Sequence, residues 1–462
     1  MYESGRGREL ARLVVELLTR AREKAVVASF LLADRDIEEA ILEASRRGVR
    51  VYVVIASEAR LGREVGDGEF EQRVHAEHHA MLKRLGGRVL FRSAEHFHAK
   101  CVLIDPETQP AGVLLTANLT KEALERNEEL AVVLSPEEVR QVAQFARWAM
   151  WETAEHELVD PNDFRPVRPL GTVAHPEASA SIVATTSQSH ALRDHILALV
   201  DGARSRILLS SFGFDAEHLV VQRLCARALE GLRVTVLARV RPTSMPSLLA
   251  LAKAGAEVLG YSWLHGKAVW TDAGRALVMT ANLQAEGLDH GFELGVPMHG
   301  DRAAEVRDRL EGWCAAAPWR LALQPQLGDV LGKVQLWHRS RLVEAQVQAK
   351  TDVSLGVVTA ASADSLQGER PAIPRNGDLP TLAHELHCKW TVHAPRLATK
   401  AKEVHRSADG KKPPQSYGLP VFREPEGRLV VGVRAVDELE QARVVQAEAG
   451  AKAIVLADGV KP

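Results

Sequence analysis

Two short segments hold the residues of this chain best suited to chemistry. One contains His98, Lys100 and Asp105, the other His265, Lys267 and Asp272, and both have the spacing HxKxxxxD. A TAN triplet follows each, placing Asn118 and Asn282 downstream. In an extended segment residues two apart point to one face, so each His shares a face with its Lys. An unperturbed imidazole titrates near ~6.5, so its neutral and protonated forms are both accessible at neutral pH. One such ring can serve as nucleophile and a second as acid. The lysines bring positive charge to an anion, and the asparagine amides donate uncharged hydrogen bonds. A lone HxK triplet would carry little weight, whereas two complete sets demand an account of how the chain came to hold them.

The chain contains itself twice. Residues 24–55 and 206–238 each read as strand, helix, strand, with Gly48 and Gly231 after the helix, where the backbone can take a positive φ. Phe30 to Gly48 is 18 positions and Phe212 to Gly231 is 19. The matches continue in one order through residues 82–91 and 249–260, 98–105 and 265–272, 114–120 and 278–284, and 127–134 and 291–298. From Asn118 to Glu129 is 11 positions, and so is Asn282 to Glu293. Apolar strands predict sheets covered on both faces, hence an α/β fold class. The expected architecture is two α/β lobes in pseudo-twofold symmetry that bring His98 and His265 together, with a small β-containing C-terminal domain. The expected boundaries are a first lobe over 1–157, a linker over 158–180 with four prolines, a second lobe over 181–324, and a C-terminal domain of unknown function over 325–462.

HxKxxxxD followed by Asn, repeated within a duplicated α/β unit, resembles the phospholipase D-like, or HKD, superfamily, whose motif is HxKxxxxD and then GSxN. The resemblance covers roughly residues 10–320. It implies a phosphodiesterase in which a neutral imidazole attacks phosphorus to give a covalent phosphohistidine. The protonated partner then acts as acid for the leaving oxygen and as base for the water that releases product. Lys100, Lys267, Asn118 and Asn282 would hold the non-bridging oxygens. The resemblance further implies that Glu129 and Glu293 hydrogen-bond the catalytic imidazoles, that Asp105 and Asp272 are structural, and that His98 is the nucleophile and His265 the acid. It implies no metal and no other cofactor. Where the family has Gly-Ser, this chain has Leu115-Thr116 and Met279-Thr280. Thr116 and Thr280 keep the hydroxyl and add a methyl, and both copies changed alike, so decay of one half is not indicated.

Composition narrows the setting. Of 462 residues, 46% are hydrophobic and 26% charged, the balance of a soluble globular protein with a sizeable core. With 58 basic residues against 60 acidic there is no basic excess, so an anionic substrate must be met by a local patch. Four cysteines without a CxxC pair fit neither a disulfide framework nor a zinc ribbon, which points to a reducing, cytoplasmic location. The charged N-terminus lacks an apolar signal region, and no run approaches the roughly 18 apolar residues of a membrane span. His384 to Cys388 (HELHC), with His393 nearby, lacks HExxH spacing and reads as a satisfied or solvent-facing cluster in preference to a zinc site. Residues 389–412 carry Lys389, Arg396, Lys400, Lys402, Lys411 and Lys412, which read equally as a phosphate-backbone contact or a charged surface loop.

The leading expectation is therefore a metal-independent, cytoplasmic nuclease acting on DNA or RNA, in an architecture suited to phage defence, restriction or repair. One alternative is a phospholipase or phosphatidyltransferase acting on phospholipids. The other is a non-catalytic scaffold whose C-terminal domain binds a protein partner. One chain supplies both motifs, so dimerisation is not required for catalysis.

Overall fold

The computed structural model describes residues 1–3, 8–57 and 69–322, apart from 162, 178, 240, 242, 262 and 318. Beyond these it describes the strands Val334–His338, Arg341–Ala345, Gly356–Ala360, Val421–Arg423, Leu429–Val433 and Ala453–Leu456. The basic residues Lys389, Arg396, Lys400, Lys402, Lys411 and Lys412 and the cluster from His384 to His393 lie outside the described residues. The chain divides into two compact units, one formed by Met1–Arg239 with Trp263–Gly312 and one by Val240–Ser262 with Trp313–Pro462.

The first unit holds both HxK motifs. Its first copy builds a mixed sheet in which Leu130–Val133, Ala111–Leu115, Cys101–Ile104, Lys24–Ala28 and Arg50–Ala56 lie side by side in that order. The second copy repeats the order with Glu293–His299, Arg275–Met279, Ala268–Thr271, Arg206–Ser211 and Arg233–Ala238. The pairing senses also repeat. Lys24–Ala28 runs parallel to Arg50–Ala56, with Lys24 opposite Arg50, and Arg206–Ser211 runs parallel to Arg233–Ala238, with Arg206 opposite Arg233. The HxK strands pair antiparallel on the other side, Ala28 opposite Cys101 and Ser210 opposite Ala268.

The parallel pairs require a crossover, and the amphipathic stretches supply it. Helix Arg35–Arg46 buries Ile37, Ile41, Leu42 and Ala44, and the buried Asp34 caps it by accepting from the Asp36 and Ile37 amides. Helix Leu219–Leu229 buries Val220, Val221, Leu224 and Ala228 in the same place. Gly48 and Gly231 end these helices at φ +85° and +95°, a region that penalises any side chain. The strand residues Ala25, Val27, Val51 and Val53 join Leu10, Val14 and Ile37 in one apolar cluster, so alternate strand positions face the helices. Within residues 156–166, His156–Asp160 pairs antiparallel with both Asp163–Pro166 and Leu90–Ala94, extending the first sheet.

Asp105 and Asp272 sit at the ends of the HxK strands remote from the histidines. The Asp105 carboxylate accepts from the amides of Arg22, Glu23 and Lys24 at 2.9, 2.7 and 2.8 Å. Asp272 accepts from the amides of Arg204 and Ser205, both at 2.9 Å, and from the Ser205 hydroxyl at 2.6 Å. Each ties off otherwise unpaired backbone donors at the start of the neighbouring strand. Burial works against ionisation of Asp272, but its hydrogen bonds outweigh it and hold the carboxyl below its ordinary range.

The second unit contains helix Met245–Lys253 and the strands Glu257–Gly260, Trp319–Ala322, Gly356–Ala360, Val334–His338 and Arg341–Ala345, each antiparallel to the next. A further sheet pairs Val421–Arg423 antiparallel, and Ala453–Leu456 parallel, with Leu429–Val433. Among the described residues no helix is long and apolar enough to cross a membrane.

Candidate active site

Within the first unit each copy reaches into the other. The segment before the His98 strand forms a parallel bridge, Phe97 to Phe292, with the second copy, and its twin bridges Leu264 to Glu128 of the first. The His98 amide donates to the Phe292 carbonyl at 3.0 Å, and the Phe292 amide to the His96 carbonyl at 2.7 Å. In the twin, the His265 amide donates to the Glu128 carbonyl at 3.0 Å, and the Glu128 amide to the Trp263 carbonyl at 2.9 Å. Phe97 stacks on Phe292 at 4.9 Å between ring centres, sealing the junction.

This register sets each histidine against the glutamate of the opposite copy. His98 Nδ1 lies 2.6 Å from Glu293 Oε1, and His265 Nδ1 lies 2.7 Å from Glu129 Oε1. Both carboxylates are buried. Burial alone would favour their neutral forms, but the facing imidazoles and lysines outweigh it and hold both below the ordinary range. An ionised carboxylate only accepts, so Nδ1 of each ring must carry the proton. Nε2 is then the nitrogen left for reaction.

The threonines hold the carboxylates in turn. Thr116 Oγ1 donates to Glu129 Oε2 at 2.6 Å while accepting from the Leu130 amide at 2.8 Å. Thr280 Oγ1 donates to Glu293 Oε2 and accepts from the Leu294 amide at 3.0 Å. Each hydroxyl thus bridges a carboxylate and a backbone amide from a buried position. One asymmetry remains, since Asn127 Nδ2 donates to Glu129 Oε1 at 3.1 Å and its twin position is Gly291.

Lys100 and Lys267 are fully buried. Each ammonium donates back to the carbonyl of its own histidine, at 2.5 and 2.6 Å. Burial pulls the Lys267 pKa down to about 8 against the opposing pull of Glu129 and Glu293. The Lys267 ammonium also lies 3.0 and 3.2 Å from the two ring nitrogens of His265. Burial first, and then Lys267 and Lys100, lower His265 to about 4 although Glu129 raises it. The action of Lys100 on His265 shows that the two copies contribute to one electrostatic site.

Asn118 and Asn282 lie in loops anchored at the end of each copy's first strand, where the Leu119 amide donates to Ser29 Oγ at 3.1 Å and the Leu283 amide to Ser211 Oγ at 3.3 Å. Their side-chain Oδ1 atoms are buried and accept no hydrogen bond among the described residues. A buried acceptor without a donor costs about 1–3 kcal/mol, a cost carried at functional positions.

Two neighbours of the histidines escaped the sequence reading. Phe30 meets His98 edge-on at 5.1 Å, and Phe212 meets His265 at 4.8 Å. They lie 5.8 and 5.9 Å from the Lys100 and Lys267 ammonium groups, within cation–π range. The available signal was the dipeptide Ser-Phe at 29–30 and again at 211–212, at the end of each copy's first strand.

A sequence profile described as "Cardiolipin synthase, PLD-like domain" matches residues 14–151. No curated protein matches the chain by sequence. Among solved structures, phosphatidylserine synthase from Haemophilus influenzae aligns at 12% identity with a TM-score of 0.50, over 66% of this chain and 83% of that one. Polyphosphate kinase from Porphyromonas gingivalis aligns at 17% identity and a TM-score of 0.44 over 66% of this chain; the match spans 48% of the kinase, about half its length. The phospholipase D family member Nuc from Salmonella typhimurium aligns at 17% identity and a TM-score of 0.27, over 30% of this chain and 95% of its own. The profile match assigns a PLD-like domain to residues 14–151, and the fold is shared with the synthase.

Proposed function

We propose that this protein is a phosphodiesterase that cleaves DNA or RNA strands without a metal ion, through a covalent phosphohistidine on His98. The observation that carries the reading is the crossed pair of Glu–His contacts, each tied to a threonine hydroxyl and flanked by a buried lysine. His98 Nε2 donates its lone pair to phosphorus and the P–O bond to the leaving strand breaks. That oxygen takes the proton from His265 Nε2. Water then gives a proton to His265 and its oxygen attacks phosphorus, breaking the P–N bond and restoring His98. Lys100, Lys267, Asn118 and Asn282 stabilise the charge on the non-bridging oxygens.

In the resting protein His265 is held to about 4, so it is neutral near pH 7. Its acid role requires a phosphate anion beside Lys100 and Lys267, which offsets the two ammonium charges and raises its proton affinity. Proton uptake and substrate binding are coupled in this scheme.

A second reading, phosphatidyl transfer, draws on the profile described as cardiolipin synthase and on the fold shared with a phosphatidylserine synthase. It uses the same phosphohistidine and replaces water by an alcohol. The deciding experiment incubates the protein in EDTA with labelled single- and double-stranded DNA and RNA, and with phosphatidylcholine and phosphatidylglycerol vesicles. Strand cleavage lost in His98→Ala supports the nuclease. Lipid turnover alone transfers the assignment to the second reading, and silence on every substrate supports a non-catalytic scaffold.

A further inference from the structure

The two copies are not equivalent at the rim of the site. His96 and Trp263 occupy twin positions, each two residues before its catalytic histidine and each bonded through its carbonyl to the opposite copy. Both side chains are exposed, and Trp263 leaves 45% of its surface open. Trp263 sits in a turn two residues before His265. Behind it, at the end of strand Arg233–Ala238, comes Arg239. Its guanidinium carbon lies 5.1 Å from the Trp263 ring centre and 5.4 Å from that of Phe212, the ring that meets His265 edge-on. By the pairing register the twin of Arg239 is Ala56, which is fully buried and carries no charge.

A single exposed aromatic residue needs no explanation. This one combines three features: a place two residues from His265, one side of its ring covered by a cation that also lies against Phe212, and a twin lacking both indole and guanidinium. We infer that Trp263 and Arg239 form a base-stacking subsite on the His265 side, so that the enzyme takes a nucleic-acid strand with an unstacked base next to the scissile phosphate. An indole face accepts any base, while a guanidinium stiffened by two rings adds positive charge for the strand's backbone. Stacking on the rim requires a base released from its neighbours, which selects single strands over intact duplex. His96 offers a smaller ring, and Ala56 stands where the second copy has Arg239, so the two sides of the phosphodiester are read differently.

The inference rests on the nuclease reading, and one experiment separates them. Cleavage in EDTA is measured on a single-stranded oligonucleotide and on the same strand with abasic tetrahydrofuran units flanking the scissile phosphate. Stacking worth about 1–3 kcal/mol per base predicts that the unaltered protein favours the base-bearing strand by roughly ten- to a hundredfold in kcat/KM. Trp263→Ala should bring that ratio to within about threefold of unity, and Trp263→Phe should retain most of it. A preference surviving in Trp263→Ala, or absent from the unaltered protein, overturns the subsite and leaves the nuclease standing. Both strands uncut by the unaltered protein in EDTA brings down the nuclease reading and the subsite with it.

Discussion

Glu129→Gln tests the crossed arrangement most directly, because it keeps shape and volume while removing one charge. Glu129 lies in the first copy, yet its Oε1 is 2.7 Å from His265 Nδ1 of the second. Its other oxygen accepts from Thr116 at 2.6 Å, and Asn127 donates to Oε1 at 3.1 Å. Both oxygens therefore face donors, so a glutamine NH2 meets a donor whichever way the amide turns. A buried hydrogen bond to a charged group is worth about 1.5–3 kcal/mol. At about 1.36 kcal/mol per unit, losing it lowers the His265 pKa by roughly a further one to two units. The same loss falls on the imidazolium in the proposed acid step and predicts a drop of roughly ten- to a hundredfold in kcat. Imidazole nitrogen NMR across a pH titration reads the first effect, independently of any substrate. The His265 resonances should move in Glu129→Gln and hold in Glu293→Gln, and the His98 resonances should do the reverse. If Glu129→Gln shifted His98 and left His265 untouched, the crossed pairing would be wrong.

Other outcomes follow from the same geometry. His98→Ala and His265→Ala should each reduce turnover by at least about a thousandfold, with EDTA leaving the unaltered protein active. Activity persisting in either variant, with chelator inhibition, would refute the two-histidine scheme. Thr116→Val leaves the Leu130 amide and Glu129 Oε2 without their hydroxyl, and should cost about 2–3 kcal/mol in urea unfolding while Thr116→Ser costs under about 1. Asp105→Ala strips the acceptor from three backbone amides and places Ala at φ +44°, so a loss of about 2–4 kcal/mol is expected. Unfolding at several pH values reads the buried histidine. His265 is lowered from 6.5 to about 4, so between those values the unfolded chain binds more protons. Stability should therefore fall as pH drops through that window, by about 3 kcal/mol in all. Glu129 and Glu293, also held low, add to the loss below the ordinary carboxylate range. His265→Ala should flatten the slope, and an unchanged slope would mean that another group sets it.

Much of the fold was legible in one dimension. Apolar strand runs, amphipathic helical stretches and a glycine after each helix are local properties, and their repetition at 24–55 and 206–238 exposed the duplicated α/β unit that the sheet order repeats. The His, Lys and Asn positions were legible because two copies of a motif can be compared with each other. The family resemblance pointed to Glu129 and Glu293, which stand at equal spacing from the asparagines. Spacing within a copy, however, carries no information on which copy it faces. Glu293 reaches His98 across 195 positions, and that pairing follows from backbone bridges between the copies. The edge-on Phe30 and Phe212 and the cation held between Phe212 and Trp263 likewise depend on loop ends meeting in space. Burial of the lysines and the lowering of His265 are properties of the closed site, since desolvation exists only once the chain has excluded water. The amino-acid sequence determined the groups and their repetition; tertiary structure decided their partners and charge states, because both depend on distance and dielectric instead of order along the chain.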